Sequence, residues 1–289
     1  MCEGGKYGTL ASEVYDLDKP VGRSFADVEY YTGLLAGVSG PILEPAAGTG
    51  RVLIPLLEAG HAVEGLDSSP EMLALCRQHC RDRGLDPLLR EADMVIYVRL
   101  AAYAAVIIPA GSIALLDGRK GTLQALTCFR DSLIPGGLLI VDVPVPRPAA
   151  RNEPMRYWRR GSYLWTLQTL HTEYNPVTNQ TTRLLRYEKW QDGNLRTAEL
   201  QTCRLQHWSS REFEELLWEA GFSDIAVTGD YQDTCAPGPG NEVWTFHATR
   251  PGGPAPGIAV RQAPSTLAGG LPYSRGYPTQ PPAALLHSG

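Results

Sequence analysis

The stretch from Ile42 to Ser69, ILEPAAGTGRVLIPLLEAGHAVEGLDSS, runs from an apolar strand through a glycine-bearing turn into a helix and a second strand. A glycine turn at such a junction lets the backbone approach a ligand closely, and the helix N-terminus offers unpaired N–H groups to anionic atoms. Leu53 stands where the dinucleotide fingerprint has its third glycine, and no Lys-Ser/Thr step follows Gly50 as a phosphate loop requires. Asp67 ends the second strand, where a carboxylate can accept hydrogen bonds from ribose hydroxyls. These residues alone still leave an NAD-type ligand open.

Strands and helices alternate around this stretch. We predict strands at 41–44, 62–66, 88–92, 104–108 and 138–145, and helices at 50–59, 70–83 and 122–133. A lead-in helix is expected from about Phe25, capped by Ser24. The alternation implies an α/β fold whose parallel strands are joined by right-handed crossovers.

The pattern changes to period two after residue 146. The segments SYLWTLQTLHTEY, TTRLLRYEKW and LRTAELQTCRL are separated by turns, and Asp192-Gly193 is a strong hairpin signal, so we predict an inserted antiparallel sheet of three strands. A helix capped by Ser210 and ended by Gly221 follows, and then two last strands. The predicted units are a lid and lead-in helix at 1–40, a core at 41–146 and 208–250, the insert at 147–207, and a disordered Pro/Gly-rich tail at 251–289.

Composition narrows the class of partner. The chain has 289 residues, 43% hydrophobic content and a formal net charge of −5, which is typical of a globular protein and disfavours polyanionic partners. We therefore expect a small-molecule partner, and neither a nucleic-acid nor a membrane partner. We also expect a cytoplasmic protein that is a monomer or a homodimer. Cys76, His79 and Cys80 lie close together on a predicted helix, yet a fourth ligand is missing nearby, so we predict no metal site.

Several motifs that follow one another along the chain together indicate a family. The run EPAAGTGR is followed by GLDSSPEML, then EADM, and then a Pro-Gly-Gly turn before the fifth strand. From about Tyr15 to Arg250 the chain resembles class I S-adenosylmethionine-dependent methyltransferases, especially their small-molecule branch. The resemblance implies a doubly wound, mostly parallel, seven-stranded Rossmann-like sheet with an antiparallel last strand, plus the inserted sheet. It also implies S-adenosylmethionine as cofactor and S-adenosylhomocysteine as product.

The resemblance further implies which residues hold the cofactor. In the family the glycine loop meets the methionine half, the acidic residue after the second strand holds the ribose, and an Asp after the third strand binds the adenine. Carried over by position, the implied cofactor-binding residues are Glu44, Ala46, Gly48 and Gly50 for the methionine half, Asp67 and Ser68 for the ribose, Met72, Asp93 and Met94 for the adenine, Pro109 below the sulfonium, and Tyr15 and Tyr31 in the lid and lead-in helix.

The inserted strands are the expected cover of the acceptor. Alternation along SYLWTLQTLH places Tyr163, Trp165, Leu167, Thr169 and His171 on one face, which could line a substrate or simply pack on the core. Tyr163 and Trp165 are the candidate substrate-binding residues. His171 is a weak candidate for a general base, because a lone histidine is more often structural.

The expected activity is transfer of a methyl group to a nitrogen or oxygen of a small-molecule acceptor (EC 2.1.1.-), and the expected setting is secondary metabolism. The alternative is a catalytically silent scaffold that binds the adenosine cofactor on the same fold. An NAD-dependent oxidoreductase is disfavoured by Leu53. Nucleic-acid methylation is disfavoured by the acidic charge and by Ile108-Pro109-Ala110-Gly111, which stands where an Asn-Pro-Pro-Tyr motif would be.

Overall fold

The structure is a computed structural model, and it describes residues 7–146 and 153–252. Within these ranges the chain forms six α-helices, one short 3-10 helix and eleven strands. The helices are α1 (Thr9–Asp18), α2 (Asp27–Leu35), α3 (Leu53–Glu58), α4 (Pro70–Arg81), α5 (Gly118–Ser132) and α6 (Ser210–Glu219), and the 3-10 helix is Ser112–Leu115. The strands are β1 (Ile42–Pro45), β2 (Val63–Asp67), β3 (Leu89–Glu91), β4 (Tyr103–Ile108), β5 (Leu133–Pro144), β6 (Arg156–Arg160), β7 (Tyr163–Asn175), β8 (Gln180–Gln191), β9 (Asn194–Gln206), β10 (Ser223–Gly229) and β11 (Val243–Thr249).

A seven-stranded sheet forms the core, in the order β10-β11-β5-β4-β1-β2-β3. Every residue of β4 is buried, as expected for a central parallel strand that is covered by helices on both faces. The strand β11 runs antiparallel to both β5 and β10, whereas β1 pairs in parallel with β2 and β4. The predicted doubly wound sheet with an antiparallel last strand is confirmed.

A second sheet, in the order β6-β7-β8-β9, is antiparallel throughout. It has four strands, whereas three were predicted. Strand β6 was not predicted because its sequence, RYWRR, lacks the apolar alternation that marks a half-buried strand. Asp192 and Gly193 have φ values of 48° and 78°, and they form the predicted tight turn between β8 and β9.

Helix α1 covers one face of the inserted sheet. Leu10, Ala11 and Val14 of this helix cluster with Trp165 and Tyr187 of the strands. Helix α1 was not predicted from the sequence, although its apolar residues are spaced three to four apart. This helix joins the inserted sheet to the core, because it also contacts α4.

Two predicted helix caps differ from the structure. Helix α2 begins at Asp27, whose own side chain accepts hydrogen bonds from the N–H groups of Phe25 and Val28, so Ser24 is not its cap. Helix α6 is capped by Ser209 rather than Ser210, because Ser209 forms a capping box with Glu212.

The predicted tail falls outside the described residues except at positions 251 and 252, and the first six residues of the chain also lie outside them. No helix in the part of the chain that the structure describes is long and apolar enough to cross a bilayer.

Candidate active site

A pocket opens where the carboxyl ends of the core strands face the inserted sheet. Its volume is about 760 Å³, within the roughly 300–1,000 Å³ typical of small-molecule sites. Loops after β1, β2, β3 and β4 form one wall, α1 closes one side, and β7, β8 and β9 form the opposite wall. Ligands of open α/β sheets bind at this edge, because the loops that follow the strands meet there.

The glycine loop after β1 has an unusual backbone. Ala46, Gly48 and Gly50 have φ values of 58°, 57° and 88°, in the left-handed region that favours glycine. Ala46 and Gly48 line the pocket. A Cβ added at Gly48 would meet no heavy atom within 4 Å, so this glycine leaves open space for a ligand.

Gly50 lies behind the pocket wall rather than on it. A Cβ at this position would stand 2.9 Å from the sulfur of Cys76 and 2.9 Å from Ile54, so the residue allows the loop to pack closely on α4 and α3. The structure therefore assigns Gly50 a packing role, in contrast to the direct contact implied by the resemblance.

Asp67 at the end of β2 connects the glycine loop to helix α4. Its Oδ2 accepts a hydrogen bond from the Gly48 N–H at 2.9 Å, and its Oδ1 accepts one from the Ser69 N–H at 2.9 Å. Burial raises the pKa of this carboxyl above its ordinary value, and the backbone hydrogen bonds partly offset that rise. A carboxylate has about four lone-pair positions, so Asp67 keeps acceptor capacity toward the pocket. Ser68 lies beside it on the same wall.

Glu44 lies at the end of β1, beneath the glycine loop, and only 2% of it is exposed. Its Oε2 has no hydrogen-bond partner among the described residues. Burial raises its pKa well above the ordinary value, against a lowering by nearby Arg51. A buried carboxyl oxygen without a partner is costly, and a donor supplied by a ligand would relieve that cost.

The adenine end implied by the resemblance is formed by Met72, Asp93 and Met94, all of which line the pocket. Met72 is buried on α4, which begins at Pro70 after the Ser69 cap. Asp93 follows β3 and is exposed, with its Oδ1 accepting a hydrogen bond from the Val95 N–H at 2.9 Å. Its second carboxylate oxygen is available to a donor in the pocket.

Two of the implied cofactor-binding residues, Tyr31 and Pro109, lie behind the pocket. Tyr15 of α1 lines the pocket, whereas Tyr31 of α2 is fully buried behind it. Similarly, Pro109 is buried at the end of β4, and the pocket is lined by Ala110 and Gly111 instead. The structure thus does not bring Tyr31 and Pro109 to the pocket surface.

The predicted face of β7 reaches the pocket only in part. Leu167 and Thr169 line it, but a β-bulge between Thr169 and His171 breaks the alternation, so His171 is exposed outside it. Trp165 packs under α1, and its Nε1 donates to Glu13 at 2.8 Å, while Tyr163 stacks beside Trp165. Neither Tyr163, Trp165 nor His171 therefore lines the pocket.

Apart from Leu167 and Thr169, the lining residues of the inserted sheet were not predicted from the sequence. The acceptor wall, as we call the pocket face of the inserted sheet, comprises Arg156, Leu167, Thr169, Arg183, Leu185, Tyr187, Cys203 and Leu205. Arg183 forms an ion pair with Glu153, which also accepts a hydrogen bond from Thr169 at 2.9 Å. Arg156 pairs with Asp18 of α1 at 2.8 Å. The period-two pattern could have identified such residues only if the register and the bulge had been known.

The pocket can be compared with the needs of S-adenosylmethionine. The volume is adequate, an acidic residue ends β2, the glycine loop leaves open space, and Glu44 offers an unpaired carboxyl oxygen below it. The chemistry of this set of residues fits a ligand that carries ribose hydroxyls and an ammonium group.

Comparisons with known proteins agree with this geometry. A family model described as a methyltransferase domain matches residues 42–137, which include β1, the glycine loop, Asp67 and Asp93. The chain carries a methyltransferase domain and is an S-adenosylmethionine-dependent methyltransferase. Its cofactor is therefore S-adenosylmethionine, and residues 42–137 carry the matched domain.

Three known proteins illustrate what the chain is similar to. It is 27% identical over 206 residues to the putative methyltransferase YqeM of Bacillus subtilis, covering 68% of this chain and 78% of that protein. It is 30% identical over 141 residues to the dTDP-3-amino-3,6-dideoxy-alpha-D-glucopyranose N,N-dimethyltransferase of Streptomyces fradiae, covering 47% of this chain and 54% of that protein. A S-adenosylmethionine-dependent methyltransferase structure from Clostridium acetobutylicum shares the fold, with a TM-score of 0.68 at 13% identity over 83% of this chain and 98% of that one.

Proposed function

We propose that the methyltransferase transfers the methyl group of S-adenosylmethionine to the nitrogen of a small-molecule amine. The observation that carries this proposal is a single pocket with two different walls. One wall carries most of the residues for which the family resemblance implies a cofactor role, and the other is the acceptor wall of the inserted sheet. Cofactor and acceptor would then meet in one space of about 760 Å³.

The residues on the core side divide along the cofactor. We propose that Asp67 and Ser68 hold the ribose and that Asp93 and Met94 hold the adenine, with Met72 against its face. Ala46, Gly48 and Glu44 would receive the methionine half, and Tyr15 would lie near the sulfonium, where an aromatic ring can stabilise positive charge by about 0.5–2 kcal/mol. These roles are supported by the positions of the residues on the pocket wall or, for Glu44, directly beneath it.

The acceptor wall suits a molecule with both apolar and polar parts. Leu185, Leu205 and Tyr187 provide apolar surface, whereas Arg183 and Glu153 provide a cation and an anion that are already paired with each other. The Streptomyces fradiae relative is named for an amino sugar acceptor and for N,N-dimethylation, which favours nitrogen over oxygen here. We therefore propose a polar amine as the acceptor class.

The proposed chemistry is an in-line displacement. The bound cofactor supplies an activated methyl group on a sulfonium. The lone pair of the acceptor nitrogen forms the new C–N bond as the C–S bond breaks and the sulfur keeps the bonding electrons. The methylated nitrogen then loses a proton to water. The protein contributes mainly by alignment, which can supply about 7–11 kcal/mol of the barrier.

Radiolabelled methyl transfer tests this proposal. The assay would use matched pairs of acceptors that differ only by an amine in place of a hydroxyl, starting with amino sugars and their hydroxyl counterparts. We expect turnover with amines, and a rate that rises with pH until the amine is fully neutral, because only the neutral amine has a free lone pair. Turnover of the hydroxyl members alone would replace the nitrogen proposal by oxygen methylation.

A matched pair of variants controls the assay. Asp67→Ala should weaken binding of S-adenosylhomocysteine in isothermal titration, whereas Asp86→Ala should not, because Asp86 is exposed and precedes β3 at the opposite edge of the sheet. Equal affinities in the two variants would contradict the assigned cofactor wall. Binding without turnover of any acceptor would instead support the catalytically silent scaffold.

A further inference from the structure

A buried carboxylate lies in the middle of the sheet, directly behind the pocket wall. Asp142 is on β5, within the apolar run LLIVDVPV, and it is 0% exposed. Its Oδ2 accepts hydrogen bonds from the Ala110 N–H at 2.8 Å and from the Tyr231 hydroxyl at 2.9 Å. Its Oδ1 accepts one from the Thr245 hydroxyl at 2.8 Å. The carboxylate thereby joins the turn after β4, the loop after β10 and the strand β11.

The turn held by Asp142 is part of the pocket wall. Ala110 and Gly111 both line the pocket, and both have positive φ values, 58° and 71°. This conformation is unfavourable for Ala110, so the surrounding structure must hold it in place. A Cβ on Gly111 would stand 2.4 Å from the Pro144 ring of β5, which shows how closely the turn packs on the strand that carries Asp142.

The hydroxyl groups that face this carboxylate are neutral, and so is the histidine two residues after Thr245 on β11. Tyr31 of α2 and Tyr231 both have pKa values raised by burial, so their hydroxyls stay protonated. His247 of β11 has a pKa lowered to about 4 by burial and stays neutral, with Tyr30 of α2 at 3.1 Å from its Nε2.

Among the described residues, no charged side chain compensates the charge of the Asp142 carboxylate directly. Asp27 and Asp233 are the nearby acidic groups that act on the tyrosines around Asp142. The nearest cationic influence is Arg51, which is already paired with Asp27. Burial therefore raises the pKa of Asp142 to about 6, even though its donors favour the ionised form.

We propose that Asp142 is a positioning residue, whose carboxylate holds the Ala110–Gly111 turn in the shape that binds the cofactor next to the acceptor. The proposal rests on the proposed use of the pocket, but not on the identity of the acceptor. Its consequence is that cofactor binding depends on ionisation of a residue that does not touch the cofactor. When Asp142 is protonated, one oxygen becomes a donor and cannot accept from both Ala110 and Tyr231 as before.

Titration with S-adenosylhomocysteine between pH 5 and pH 8 tests this proposal without an acceptor. We expect the affinity of wild type for S-adenosylhomocysteine to fall about tenfold as pH drops through about 6. The asparagine of Asp142→Asn resembles the protonated acid. The affinity of this variant should therefore not change with pH in that range, and it should equal the wild-type affinity at low pH. Glu44 and Asp67 also titrate near the pocket, so the comparison of variants, rather than the wild-type profile alone, identifies Asp142.

Two further variants separate positioning from stability. Thr245→Val and Tyr231→Phe each remove a donor that favours the charged form of Asp142. Each should therefore move the inflection in the plot of affinity against pH to higher pH without abolishing it. They also keep the test valid if Asp142→Asn does not fold. An inflection that persists unchanged in Asp142→Asn, or that does not move in the other two variants, would overturn the proposal. If these shifts occur but no acceptor is methylated, the proposed function fails and the role of Asp142 stands.

Discussion

The ion pair between Arg51 and Asp27 offers the sharpest prediction about the stability of this methyltransferase. Arg51 follows the glycine loop, and both of its terminal nitrogens donate to the Asp27 carboxylate. The side chains are 4% and 1% exposed, so both charges are removed from water. The pair joins α2 to the glycine loop and is reinforced by the backbone N–H groups of Phe25 and Val28.

The perturbation is Arg51→Met, which removes the cation but keeps an unbranched apolar side chain. It leaves a buried carboxylate without its partner, and this costs about 3–5 kcal/mol of the free energy of unfolding. Each kcal/mol lowers Tm by about 2–4 °C in a domain of this size, so the expected decrease is roughly 6–20 °C. Asp27→Asn should also destabilise the protein, because it leaves the Arg51 charge unpaired.

The effect should depend on pH in a defined direction. Burial acts to raise the pKa of Asp27, but the hydrogen bonds and charge of Arg51 lower it below the ordinary value. A group with a lowered folded pKa contributes stability above its unfolded value, near 3.9, and loses that contribution as pH falls through the folded pKa. The difference between wild type and Arg51→Met should thus be full at pH 7 and shrink below about pH 4.

Scanning calorimetry at pH 7 and in acid would measure this difference. The matched control is Arg119→Met, which breaks an ion pair with Glu219 whose side chains are 55% and 48% exposed. Exposed pairs contribute about 0–1 kcal/mol, so this variant should change Tm by no more than a few degrees. Equal shifts in Tm for Arg51→Met and Arg119→Met would refute the argument from burial.

Four other outcomes follow from the site. Asp67→Ala should bind S-adenosylhomocysteine about 10-fold to 100-fold more weakly in isothermal titration, because it loses hydrogen bonds to a charged group. Gly48→Ala should lower that affinity more than it lowers Tm, since its Cβ would enter open pocket space, whereas Gly111→Ala should lower both, since its Cβ would stand 2.4 Å from a proline ring and would disturb the turn that lines the pocket. His171→Ala should leave turnover within about twofold of wild type, because the side chain is exposed outside the pocket. As pH rises from about 3 to above 7, wild type should lose about 3 kcal/mol of stability that Asp142→Asn does not lose, because the pKa of this carboxyl rises from 3.8 to about 6 on folding.

The core of the fold could be predicted from the sequence because its signals are local. The run from Ile42 to Ser69 contains a strand, a glycine turn, a helix and a strand end, and the structure places β1, α3 and β2 there. Helix α4 could be predicted for the same reason, since Ser69 and Pro70 are a local start signal. Where the chemistry of neighbouring residues determines the conformation, the prediction succeeds.

The acceptor side could not be predicted, because tertiary contacts determine it. Helix α1 is held by Glu13, which receives hydrogen bonds from Trp165 and Lys189, and by Asp16, which contacts His79 at 2.7 Å. None of these partners is near α1 in sequence. The bulge after Thr169 likewise depends on how β7 and β8 align, and a shift of one residue moves every later side chain to the other face. For this reason the sequence alone could not show that His171 lies outside the pocket lining.

The buried carboxylates of the site form a consistent electrostatic pattern. Burial raises the pKa of Glu44, Asp67 and Asp142, so the protein by itself resists their ionisation. Asp27 differs, because Arg51 neutralises it within the protein. A cationic guest beside these carboxyls would favour their ionised forms, and S-adenosylmethionine carries a sulfonium and an ammonium group. Because the product lacks the sulfonium charge, we expect it to favour ionisation of the carboxyls less than the loaded cofactor does.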